Sequence, residues 1–166
     1  MASDVLVPAY VGLGSNLDHP AGQVRRALSA LAAIPDTRFI ASSALYRSPP
    51  MGPQDQPDYV NAVAGLLTCL PARQLLGALQ AIEDAQGRRR DGPRWGPRTL
   101  DLDLLLYGAL CLDEDDLSLP HPGLAERAFV LVPLLELAPG LRVPGGGSIA
   151  RLAATAGDGG LIRLEA

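Results

Sequence analysis

Two stretches of this chain refuse regular secondary structure, and everything else has to fit between them. SPPMGPQDQPD, residues 48–58, packs four prolines and a glycine into eleven residues, too many for a helix or a central strand. It predicts a long loop with a stiffened backbone. QGRRRDGPRWGP, residues 86–97, is glycine-rich and basic, and predicts a second long loop.

The intervening segments carry clear periodicities. VLVPAYVGL, residues 5–13, is apolar and β-branched and reads as a strand despite Pro8; GSNLDHP turns the chain, with Asp18 or His19 before Pro20 as the helix start. Val24, Leu28, Leu31 and Ala32 recur at helical spacing over 21–33, and Pro35 ends that helix. Residues 37–46 look extended and 59–70 read as a strand. Pro71 opens a helix to about Ala85 through Leu75, Leu76, Leu79 and Ile82. RTLDLDLLLYG, 98–108, is the next strand, followed by a turn through CLDEDDLSLPHPG, a helical stretch interrupted at Pro133, and a tail with a short helix and a strand-like end. Strand, helix, strand, strand, helix, strand is the split βαβ order. It predicts an α+β ferredoxin-like sandwich, an antiparallel sheet with helices on one face.

With 166 residues, 48% of them hydrophobic, the chain can bury one substantial core, and residues 1–166 read as a single domain. The longest apolar runs, such as 128–138, are broken by Pro or Glu short of the roughly 18 residues a membrane span needs. MASDVLVPAYVGLGSN lacks a basic leader ahead of an apolar core, so a cytoplasmic location is expected. Cys69 and Cys111 stand in apolar surroundings without metal-site spacing and read as core thiols. A monomer is expected.

Charge narrows the chemistry. A net charge of −4 argues against nucleic acid, yet five of the fourteen arginines (Arg88, Arg89, Arg90, Arg94, Arg98) fall within eleven residues beside one acid, Asp91. A compact basic loop suits a small, highly charged anion. The chain has no lysine, which removes Schiff-base, P-loop and kinase-type lysines. Phosphate chemistry here must run on arginine, backbone amides and metal.

Asp101 and Asp103 lie two apart in a strand and so share one face, while Leu100, Leu102 and Leu104 take the other. Alone they could be solvated or paired with Arg94 and Arg98; beside the arginine loop they read as a magnesium site, since Mg²⁺ is held by one or two carboxylates together with waters and phosphate oxygens. Trp95 is either a core anchor or a flat surface for a planar ligand. Asn61 offers a donor and an acceptor to the amide-like edge of a heterocycle, with Tyr59 supplying a ring. Glu83, by type and place, reads as a surface charge. His121 is a turn residue or a phosphate donor. GLGSNL resembles a dinucleotide fingerprint only in part, because Leu17 stands where the third glycine belongs.

YVGLGSNL, LYRSPPMGPQDQPDYVNAV, IEDAQGRRRDGPRWGPRTLDLDLLLYG and LPHPGLAERAFVLVPLLELAP follow in that order. Together, over about residues 9–140, they resemble the 6-hydroxymethyl-7,8-dihydropterin pyrophosphokinase family of folate biosynthesis. The resemblance implies transfer of the β,γ-pyrophosphoryl group of ATP to the hydroxymethyl of the dihydropterin, releasing AMP. It further implies that Asp101 and Asp103 hold two Mg²⁺ ions, and that Arg88 and Arg98 contact the transferring phosphates, with His121 and Arg127 on the same side. Gln80, Glu83, Arg90, Leu104 and Ser118 would line the ATP site, Glu83 at the ribose. The pterin would lie between Trp95 and Phe129, hydrogen-bonded by Asn61 and bounded by Ser48, Pro49, Met51 and Tyr59. Some members carry Tyr at the place of Pro122, Lys at that of Asp91 and Arg at that of Asp116, which puts individual ATP contacts in question. Both long loops are expected to be lids that close over bound substrates.

Two other readings of the residues stand beside this one. A metal-dependent phosphohydrolase or nucleotidyltransferase would also use paired aspartates and arginines but leaves the proline loop ending in Tyr and Asn unexplained. A non-enzymatic ferredoxin-like binding module would follow if the two acids were structural.

Overall fold

The computed structural model describes residues 5–50, 55–87 and 99–164. In chain order the elements are β1 (Val7–Ser15), α1 (Pro20–Ala32), β2 (Thr37–Ser42), β3 (Tyr46–Ser48), β4 (Tyr59–Thr68), α2 (Ala72–Ala85) and β5 (Asp101–Tyr107). Then come β6 (Leu112–Asp113), β7 (Ser118–Leu119), a 3₁₀ turn (Leu124–Glu126), α3 (Ala128–Leu137), β8 (Arg142–Val143), β9 (Gly147–Ser148), α4 (Ile149–Ala156) and β10 (Ile162–Arg163). The main sheet runs β10-β3-β4-β1-β5, with β2 also on β4, and all its pairings are antiparallel.

The predicted extended stretch 37–46 is one strand broken into two. At the break the Ser43 N–H donates to the Val63 carbonyl (2.8 Å), and the Ser43 hydroxyl oxygen accepts from the Val63 N–H (3.0 Å). A side chain thus stands in for the ladder partner the break removes. Counting β2 and β3 as one strand restores the ferredoxin-like order expected from the sequence. Pro8 is tolerated in central β1 because the ladder to β5 begins only at Ala9.

The helices lie on both faces of the sheet, not on one. Alternation in β1 and β4 sends Ala9, Val11, Leu13, Val60, Ala62, Ala64 and Leu66 to a core shared with α1 and α2, and Leu100, Leu102 and Leu104 join them. Val63, Leu105 and Leu106 face a second core made with α3 and α4. The C-terminal helices were not part of the βαβ pattern, so that pattern could not say which face they would cover. Pro133 does not interrupt α3, which runs through it. The missing N–H leaves the Phe129 carbonyl without its intrahelical donor, a cost of about 3 kcal/mol. Burial of Val130, Leu131, Leu134 and Pro133 itself offsets it.

The helix entry falls at His19 as expected, and two other expectations change in detail. Left-handed Asp18 (φ 53°) and His19 (φ 62°) carry the turn into Pro20 without a capping side chain. The segment 111–123 contains a small hairpin, β6–β7, held to the start of α2 by Arg73, which pairs with both Glu114 (2.8 Å) and Asp116 (2.7 Å). Cys69 is half-buried, but Cys111 is exposed at the turn after β5 and is not a core thiol.

Candidate active site

On the α3 side of the sheet, a cleft of about 510 Å³ opens beyond the second core. Its floor is β1, and it exists because β1 has no side chains there. The register sets Gly12 directly opposite Asp103 and Gly14 opposite Asp101 on β5, with Gly14 also opposite Asn61 on β4. Glycines two apart share a face, so the space over both aspartates stays empty of protein. Gly14 is further constrained by close approach: a Cβ there would stand 3.1 Å from Asn61 Oδ1 and 3.7 Å from Tyr59 Cδ1.

One end of the cleft is amide- and ring-lined. Asn61, 4% exposed, donates through Nδ2 to the Ser48 hydroxyl (2.6 Å), which fixes its carboxamide. Tyr59, Pro49 and Phe129 complete that end. The end of the proline loop is tied down by Asn16, 1% exposed, whose Nδ2 donates to Gln56 Oε1 (3.0 Å) and to the Pro57 carbonyl (2.9 Å).

The other end is charged. Asp101 and Asp103 are partly exposed, with 47% of the Asp103 side chain accessible. His121 faces Asp103, with Nε2 to Oδ1 at 3.8 Å. Its Nδ1 accepts the Gly123 N–H (3.1 Å), so the ring proton sits on Nε2. Burial, and then the nearby Arg127 guanidinium, push His121 down to about 4, so at neutral pH the ring is uncharged and offers a single donor. The Arg127 guanidinium lies against Gly123, where a Cβ would come within 2.5 Å of it, and its Cζ is 5.9 Å from the Phe129 ring centroid. A glycine backbone and a ring face thus hold Arg127 at the cleft wall.

Of the residues singled out in the sequence, Ser48, Pro49, Tyr59, Asn61, Asp101, Asp103, His121, Arg127 and Phe129 line this one cleft. Gln80, Glu83, Leu104 and Ser118 do not. Glu83 is no surface charge: it is 4% exposed, and Oε2 accepts the Leu102 N–H (2.8 Å), tying α2 to β5 between the two aspartates. The Leu104 side chain is buried in the α1/α2 core. Ser118 lies on β7 and Gln80 on the exposed side of α2. Met51, Arg88, Arg90, Trp95 and Arg98, the variant position Asp91, most of the expected arginine lid and residues 51–54 of the expected proline lid lie outside the described residues.

The sequence reading missed Gly12, Gly14 and Gly123 as shapers of the cleft, and Asn16 as a clamp. The glycines did leave a signal. GLG at the end of an apolar strand puts two glycines on one face, as DLD puts two acids on one face, and antiparallel pairing can superpose the two patterns.

The donor set fits a hard divalent cation. Two carboxylates project from one face beside an opening, with no sulfur donor, and among the described residues no cluster of three or more ligating side chains is present. That suits Mg²⁺ completed by phosphate oxygens better than an all-protein cage.

Comparisons with known proteins agree with this chemistry. The sequence pattern of the 7,8-dihydro-6-hydroxymethylpterin-pyrophosphokinase (HPPK) family matches residues 10–139. A Pseudomonas aeruginosa protein named 2-amino-4-hydroxy-6-hydroxymethyldihydropteridine pyrophosphokinase is 54% identical over 155 residues, covering 93% of this chain and 95% of its own length. A Haemophilus influenzae protein of the same name is 46% identical over 160 residues, covering 96% and 99%. Among solved structures, Plasmodium falciparum HPPK-DHPS superposes with a TM-score of 0.74 at 13% identity over 92% of this chain and 46% of that longer one, a likeness of fold. A family pattern spanning most of the chain and relatives matched nearly end to end place it in one family: the chain is a member of the HPPK family, the 6-hydroxymethyl-7,8-dihydropterin pyrophosphokinases.

Proposed function

We propose that the cleft over Gly12 and Gly14 is where this chain carries out its family's reaction. That reaction moves pyrophosphate from ATP to the hydroxymethyl group of 6-hydroxymethyl-7,8-dihydropterin, giving the pterin diphosphate and AMP for folate synthesis. The observation that carries the reading is the register of β1 against β5, which clears the space in front of two carboxylates and continues it to a fixed carboxamide and two rings. A planar, amide-edged heterocycle needs the second end, and a polyphosphate with its metal needs the first.

In this reading Asp101 and Asp103 hold Mg²⁺, two ions in all. Bound there, magnesium supplies charge neutralisation for the phosphates of ATP. Asn61, oriented by Ser48, pairs with the pterin edge while Phe129 and Tyr59 bound its plane, so the hydroxymethyl oxygen is aimed along the cleft at the phosphates. His121, held neutral, donates from Nε2 to a phosphate oxygen, and Arg127 adds fixed positive charge on the same side. The leaving group is AMP, and the proton of the hydroxymethyl passes to solvent or phosphate, since phosphoryl transfer asks for position and charge more than for a strong base. The family resemblance assigns Arg88 and Arg98 to the transferring phosphates, Trp95 with Phe129 to the pterin, and Gln80, Arg90 and Ser118 to the nucleotide. Glu83 and Leu104 contribute by holding β5 in place. A single-domain monomer completes the proposal, and the dependence on ATP favours a cytoplasmic setting.

Incubation with Mg-ATP and 6-hydroxymethyl-7,8-dihydropterin, with nucleotides resolved chromatographically, tests the function. AMP formation that requires the pterin is expected. ADP, or hydrolysis independent of the pterin, would replace this reading with the phosphohydrolase one.

A further inference from the structure

The C-terminal segment rests on both walls of the amide-lined end of the cleft, although none of its residues lines it. β10 adds to β3, pairing Ile162 with Arg47 and Arg163 with Tyr46, and the Leu164 N–H donates to the Leu45 carbonyl (2.8 Å). β3 ends at Ser48, the residue that orients Asn61. The turn leading into β10 touches the opposite wall as well. A Cβ on Gly159 (φ 59°) would stand 3.0 Å from the Ala128 Cβ, next to Phe129, and one on Gly160 (φ 77°) would stand 3.9 Å from Pro49 Cγ. Asp158 shapes that turn through its carboxylate, which accepts the Gly160 N–H (3.1 Å), and through its carbonyl, which accepts the Leu161 N–H (2.9 Å). The two walls are also tied to each other. Glu136 of α3 accepts the Tyr46 hydroxyl (2.5 Å) and the Ala44 N–H (3.0 Å), with Arg163 Nη1 at 4.0 Å.

We infer that residues 158–164 form a positioning strap for the pterin end of the cleft, setting the gap between the Ser48–Pro49 wall and the Phe129 wall and so the affinity for the pterin. The inference rests on the cleft reading given above. Glycine suits position 159 best: its positive φ disfavours a side chain, and a Cβ there would press on the Ala128 methyl at 3.0 Å. The strap bears on β3, Pro49 and Ala128, all at the pterin end, so it should separate the two substrates.

Gly159→Ala forces the turn off Ala128, and Leu164→Pro deletes the donor to Leu45 without adding bulk at the turn. Steady-state kinetics and melting curves on the full chain read the outcome. In both variants KM for the pterin should rise about fivefold or more, with kcat and KM for Mg-ATP within about twofold of the parent. Unchanged pterin KM in both, or KM values for both substrates rising together in step with lost thermal stability, would overturn the strap. Asn61→Ala distinguishes the underlying reading. If it raises pterin KM while the strap variants do not, the strap alone fails; if it leaves pterin KM unchanged, the pterin does not bind at this end and the strap inference falls with it.

Discussion

Replacing Gly14 by alanine adds one methyl group to the floor of the cleft, and the structure says what that methyl meets. It would stand 3.1 Å from Asn61 Oδ1, a few tenths of an ångström inside ordinary contact. Asn61 has little freedom to yield: it is buried, its Nδ2 is committed to Ser48 at 2.6 Å, and β4 is paired on both sides at that residue, with Gly14 and with Tyr46. Relieving the contact therefore weakens the Asn61–Ser48 hydrogen bond or tilts the carboxamide away from the pterin edge, each worth about 1 to 1.5 kcal/mol. Since about 1.4 kcal/mol is tenfold in an equilibrium constant, KM for the pterin should rise about tenfold with kcat little changed. The backbone φ at Gly14 is not positive, so the effect is steric and not conformational. A double-mutant cycle isolates it: once Asn61 is already alanine, Gly14→Ala has little left to strike and should cost less than about twofold more. Full additivity of the two changes, or an unchanged pterin KM in Gly14→Ala, would refute the reasoning.

Other substitutions test neighbouring parts of the account. Gly123→Ala must displace the Arg127 guanidinium, and since φ at Gly123 is −90° the backbone itself tolerates the change; kcat/KM for Mg-ATP should fall about tenfold, with the pterin KM less affected. Asn16→Ala removes both hydrogen bonds to Gln56 and Pro57 and should lower stability by about 1 to 3 kcal/mol in denaturant titrations while raising the pterin KM. Gly77→Ala, in the middle of α2 with open space around it, should stabilise by about 0.8 to 1 kcal/mol and raise the melting temperature by about 2 to 4 °C without changing turnover.

Much of this site could be read in the sequence because its chemistry is written in local patterns. The DLD alternation placed two acids on one face of β5, and the PDYVN segment placed Tyr59 and Asn61 two apart at the start of β4, on one face of the same sheet. What could not be read were the facts that arise between segments. Glu83 has the composition of a surface charge and became buried because the Leu102 N–H between the two aspartates donates to it, across nineteen residues of chain. Gly12 and Gly14 mattered only once the β1/β5 register put them opposite Asp103 and Asp101. Pro133 marks a break by local rules, yet packing against the second core carries α3 through it. The side of the sheet taken by α3 and α4 was likewise a tertiary decision, and it is that decision which brings Phe129 and Arg127 to the cleft.

The most direct test of the account is turnover in Asp101→Asn and Asp103→Asn, measured as pterin-dependent AMP release at saturating Mg-ATP, alongside circular dichroism and melting curves. Both carboxylates are partly exposed at the cleft edge, so amides should be accommodated with the fold intact. The account predicts native-like spectra with turnover reduced by roughly two orders of magnitude or more in each variant, the size of effect expected when charge stabilisation at the reacting phosphates is lost. Turnover near the parent level in either correctly folded variant would contradict it.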